Sequence, residues 1–94
     1  MDIQEAKKLL YSFAREDCLR LSKHCRKRMA ERGVTTDDFL QVIFWGEITS
    51  ISEDEEYQNC TCEITGKDTN GDDLTLQVAI IEKEYSILCI TVYG

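Results

Sequence analysis

The chain's single histidine, His24, lies among cations: Arg20, Lys23, Arg26, Lys27, Arg28 and Arg32 supply six of its eleven Lys and Arg residues. An unperturbed imidazole titrates near pH ~6.5, so His24 can give or take a proton close to neutrality and is the candidate general acid or base. On a helix, His24, Arg28 and Arg32 follow one another at i, i+4 and share one side. Guanidinium groups so placed suit bidentate contact with phosphate or carboxylate. The structural alternative makes His24 a first-turn residue whose ring bonds a neighbouring strand or fixes the helix against the sheet. It also pairs Arg28 and Arg32 with carboxylates of the acidic half, such as Glu47 or the 53–56 run. Lys23, Arg26 and Lys27 face other directions, toward solvent. With one histidine, a two-histidine acid/base mechanism is excluded.

Two more polar residues are candidates. Lys67 stands in an acidic turn region and can reach a phosphate, or is simply solvated. Tyr93 can lend its hydroxyl to a site, or cap the sheet edge with its ring. Cys60 and Cys62 point to one side of a strand, and with Cys89 and either Cys25 or His24 they can be imagined around a soft metal. Core packing is the expected role, because cysteine packs as a small hydrophobe and a strand-borne C-x-C lacks the loop geometry of a zinc site. No metal or cofactor is expected. Five cysteines are an odd number. In a chain whose first residues do not resemble a signal peptide, they are expected to be reduced thiols in the cytoplasm.

Helices and strands must position these groups. Asp2 and Glu5 predict a capped first helix, along which Ile3, Ala6, Leu9, Leu10, Phe13, Ala14 and Cys18 recur at three- and four-residue steps. A break is expected over residues 17–22, where Leu19 and Leu21 flank Arg20; one bent helix over residues 3–32 is the competing reading. Ser22 can cap the cationic helix, and Gly33 can take the left-handed position that ends it. A threonine then caps a third helix whose Asp37 and Asp38 suit a helix N-terminus. Phe39, Leu40, Val42, Ile43 and Phe44 give it an apolar stripe up to Gly46, with Trp45 expected to cover the core edge.

From Glu47 the pattern changes to strands. Residues 48–51 alternate before an acidic, solvated turn over 52–56, and residues 57–65 are β-rich. Residues 66–72 carry turn signals, including Asn70-Gly71. Residues 74–81 set Leu74, Leu76, Val78 and Ile80 on one face, and 82–84 reverse the chain into a last strand over 85–93. The expected fold is α+β, a single domain with two or three N-terminal helices packed on one face of an antiparallel four-stranded meander.

Composition agrees with a folded chain: 43% of the 94 residues are hydrophobic and 31% charged. No run of about 18 apolar residues predicts a membrane span. The net charge is −7, split into +4 over residues 1–32 and −11 over 33–94. An acidic whole argues against general nucleic-acid affinity, while a local basic helix can still hold one or a few phosphates or an acidic partner.

The spacing Ser22-x-His24-x-x-x-Arg28-Met29-x-x-Arg32-Gly33-Val34, then Gly46-Glu47, a glycine turn and Thr91-Val92-Tyr93, resembles domain-of-unknown-function family 4258. The resemblance covers residues 19–93, with 1–18 as an additional N-terminal helix; the chain departs from many members in being acidic. It implies a small bacterial domain with a fold similar to the RelE/BrnT-like toxins, hence a toxin component with an antitoxin protein as partner and RNA as target. In such a metal-independent ribonuclease, His24 would move a proton at the 2′-hydroxyl or the leaving oxygen. Arg28 and Arg32 would stabilise the phosphate charge, Lys67 would hold phosphate and Tyr93 would join the site. The alternative function is a non-catalytic protein-interaction module whose basic helix is paired internally to the acidic half.

Overall fold

The computed structural model describes residues 1–54 and 59–93. Helix α1 (Ile3–Arg15) starts where the Asp2 carboxylate accepts the Glu5 amide at 2.8 Å. Its buried side chains are Ala6, Leu10, Phe13 and Ala14, the three- and four-residue spacing of one inward stripe. It stops at a left-handed Asp17, φ 59°. The amides of Asp17 and Cys18 turn back onto the carbonyls of Ala14 and Phe13 at 3.2 and 2.9 Å, satisfying helix-end acceptors. One bent helix to residue 32 is thereby ruled out.

The residues after that stop form a strand, β1 (Leu19–Leu21), rather than a plain break. Helix α2 (Lys23–Arg32) follows, capped by the Ser22 hydroxyl and ended by Gly33 at φ 67°. Helix α3 (Thr36–Trp45) opens on a reciprocal cap between Thr35 and Asp38. Then come β2 (Glu47–Asp54), β3 (Asn59–Lys67), β4 (Asp73–Ile81), a short 3-10 turn over Glu82–Glu84, and β5 (Ser86–Tyr93). The acidic stretch expected as a turn is strand up to Asp54, and residues 55–58 lie outside the described part.

The sheet runs β1-β5-β4-β3-β2. The four long strands pair antiparallel in chain order, as the meander requires. β1 adds a fifth strand parallel to β5, with Leu19 opposite Ile87 and Leu21 opposite Cys89. The expected four-stranded antiparallel sheet is therefore a five-stranded mixed one. Alternate strand residues, among them Cys62, Ile64, Leu76, Val78, Ile87 and Cys89, join the inward residues of all three helices in one buried cluster. The helices therefore share one face of the sheet.

Gly46 makes the α3–β2 junction possible. A Cβ there would sit 2.5 Å from the Val42 carbonyl oxygen and 2.8 Å from that of Thr65. Trp45, just before it, does not cover the core edge: it is 85% exposed.

Candidate functional site

The basic helix is fastened to β5 at its start. The Ser22 amide donates to the Cys89 carbonyl at 3.0 Å, and the Ser22 hydroxyl donates to that of Ile90 at 3.1 Å while accepting the Cys25 amide. Ile90 is free for this because it is the extra residue of a β-bulge: Thr91 pairs with Gln77 and Cys89 with Val78, skipping it. One turn into α2, Cys25 and Cys89 are joined by a disulfide, both buried. This corrects the expectation of five reduced thiols.

With Cys25 and Met29 turned inward, the rest of α2 faces outward. His24, Lys23, Arg26 and Lys27 are exposed and pair with no described residue. Among the described residues His24 thus bonds no strand and, exposed on α2, does not fix the helix against the sheet; it stands one helical turn before Arg28. The Arg28 guanidinium stands 3.6 Å from the Glu31 carboxylate on the same helix, not beside Glu47. Such an i, i+3 surface pair is worth about 0.5 kcal/mol or less and yields readily to a better anion.

The other predicted residues lie apart from His24. Arg32 borders a small cleft of about 180 Å³ with Asp68 and Asp72 of the β3–β4 turn and Asp73 at the start of β4. Lys67 is ion-paired with Asp73, which raises its pKa. Tyr93 is hydrogen-bonded to Glu63, which raises the phenol's pKa. Glu63 and Tyr93 alternate with the buried Cys62, Ile64 and Val92, so they occupy the sheet face away from the helices. Neither Lys67 nor Tyr93 is brought to His24.

Cys60 and Cys62 are buried with their sulfurs 4.0 Å apart. Burial, then the neighbouring Cys60, pushes the Cys62 thiol up to about 12, so it stays protonated. With Cys25 and Cys89 already joined, the imagined soft-metal set is dismantled. No group of three or more His, Cys, Asp or Glu suited to a metal occurs among the described residues.

Two features escaped the sequence reading. Asp38 is buried and ties α3 to the β3–β4 turn through Thr69. Trp45 is the other, and a signal for it was present: Phe39, Val42 and Ile43 are buried, and their spacing continues to position 46, not 45.

A family model described as a domain of unknown function (DUF4258) matches residues 21–94. No curated protein and no solved structure matches the chain.

Proposed function

The chain belongs to the DUF4258 family, over a match that takes in α2, α3 and the long strands; from that premise we propose an RNA-cleaving domain of the kind found as toxins in toxin–antitoxin pairs. One observation carries this reading: an exposed imidazole stands one turn before Arg28, on a helix whose Lys23, Arg26 and Lys27 have no described carboxylate partner. In RNA cleavage the 2′-hydroxyl attacks the adjacent phosphorus and the bond to the 5′-oxygen breaks. Neutral His24 takes the hydroxyl proton, or its protonated form supplies one to the leaving oxygen; water handles the other transfer. Arg28 leaves Glu31 for the phosphate, where two parallel N–H donors meet the charge that builds up. Arg32, one helical turn beyond Arg28, extends that contact. A RelE/BrnT-like fold, a bacterial source and an antitoxin protein as partner complete the reading.

Expression in a bacterial host tests it. Growth arrest with fragmented RNA is expected, lost in folded His24→Ala and Arg28→Ala proteins. In purified form His24→Ala should cleave about a hundredfold more slowly or worse. Normal growth and intact RNA with the unmodified protein would overturn the proposal.

The second reading, a non-catalytic interaction module with the basic helix paired internally to the acidic half, is favoured by Arg32, which borders a cleft with Asp68, Asp72 and Asp73. It predicts tight binding of a protein partner with no RNA breakdown at any concentration.

A further inference from the structure

At the end of α3 the chain leaves its only tryptophan uncovered: Trp45 is 85% exposed. Trp45 borders an open cleft of about 510 Å³. Lys7 of α1 and Lys67 of β3 stand on the same cleft. Gly46 and Gly66, which lack side chains, also line it, packed so closely that a Cβ on Gly66 would come 3.0 Å from the Cα of Gly46. Lys7 pairs with no described carboxylate. The Lys67–Asp73 pair is exposed on both sides and so screened by water, which leaves that ammonium able to take another anion. Glu47 adds one carboxylate to the rim.

A flat ring sharing one cleft with two lysines is the chemistry that single-stranded nucleic acid uses: a base stacks on the ring and the backbone phosphate meets the cations. A lipid chain or an apolar peptide would call for a continuous apolar lining, and here the ring's neighbours are polar. Glu47 repels a second phosphate but can accept from the exocyclic amine of adenine, cytosine or guanine. We propose that Trp45, Lys7 and Lys67 form a stacking subsite for one base of single-stranded RNA, with preference for a base bearing an amine toward Glu47. The subsite rests on the RNA reading above and lies away from His24, since α2 packs on β5 and α3 on β3, two strands along the sheet. It gives the RNA a second hold, so that the cleaved bond is set relative to the stacked base.

The lone tryptophan supplies the readout. The full chain is titrated with 2′-O-methyl oligoadenylate, which lacks the attacking hydroxyl and stays intact. Saturable quenching of the indole emission is expected, weaker with the matching oligouridylate. By anisotropy of the labelled oligonucleotide, Trp45→Ala should bind about tenfold more weakly and Trp45→Phe nearly as well as the parent. Lys7→Ala and Lys67→Ala should each lose several-fold. RNA that binds while the emission stays constant overturns the subsite and leaves the RNA reading standing. Absence of any RNA binding overturns both. Equal quenching by AMP would mark a mononucleotide site instead. Emission that changes with protein concentration but not with RNA would assign the indole to a contact between copies. Each of these last two also overturns the subsite.

Discussion

Asp38 divides its two carboxylate oxygens between two elements. One accepts the Thr35 amide and hydroxyl at 2.9 and 3.1 Å. The other accepts the Thr69 amide at 2.8 Å and the Thr69 hydroxyl. The Thr69 hydroxyl, then the backbone amides, pull its pKa from 3.8 to about 2, against a burial that raises it. A carboxylate held below its unfolded value stabilises the fold above that value and gives this up as pH falls through the folded one. The window is therefore about pH 4 down to about pH 2. Asp38→Asn should be less stable than the parent by roughly 1–3 kcal/mol at neutral pH, with a shallower loss across that window. Urea unfolding at a series of pH values measures both, and an unchanged acid slope would remove Asp38 as a cause. The Thr35–Asp38 cap was readable from a threonine three residues before an aspartate. The Thr69 half was not, because no local spacing reports a partner 31 residues away.

At the scale of elements, α2 is the least apolar helix in its inward face, burying Cys25 and Met29 alone. It is held instead by its fastenings to β5: Ser22 to Cys89 and Ile90, and the Cys25–Cys89 disulfide across 64 residues of chain. Closing a loop of that length removes unfolded-chain entropy equivalent to about 4 kcal/mol on the chain-entropy account, with measured losses usually 2–4. Cys89→Ser should therefore lower the unfolding free energy by roughly 2–4 kcal/mol. Unfolded without reductant, the parent should titrate three thiols, Cys18, Cys60 and Cys62, rising to five after reduction; five at the outset would show the link unmade. Compartment arguments and a cysteine count pointed to free thiols because neither knows that a helix cysteine faces a strand cysteine. β1 escaped for a related reason. Three residues are too short to establish a period, and their partner β5 is the last strand of the chain.

Across the whole molecule, the helices-then-sheet plan and the meander were legible because they depend on periods of 3.6 and 2 and on turn residues. Convergence of the site was not legible. Lys67 is held by Asp73 and Tyr93 by Glu63, contacts between strands that sequence spacing does not encode. The fold also sorts the charge. Arg20 pairs with Glu84, Arg28 with Glu31 and Lys67 with Asp73, which leaves Lys23, Arg26 and Lys27 as the cations around His24. A molecule of net charge −7 gains little from long-range attraction to RNA, so on the RNA reading proposed above the hold at the cleavage site comes from this local set together with Arg28. Each phosphate neutralised on a single strand contributes about −0.7 to the slope of log affinity against log salt. Three or four contacts at α2 then contribute roughly −2 to −3 to that slope, and the two lysines at the Trp45 cleft about −1.4 more. Replacing Lys23 and Lys27 together by alanine should make the slope shallower by about 1.4, while circular dichroism and unfolding stay close to the parent because both side chains are exposed. Binding of a non-cleavable RNA measured across a salt series decides the point. A slope that the double variant leaves unchanged would place the RNA somewhere other than α2.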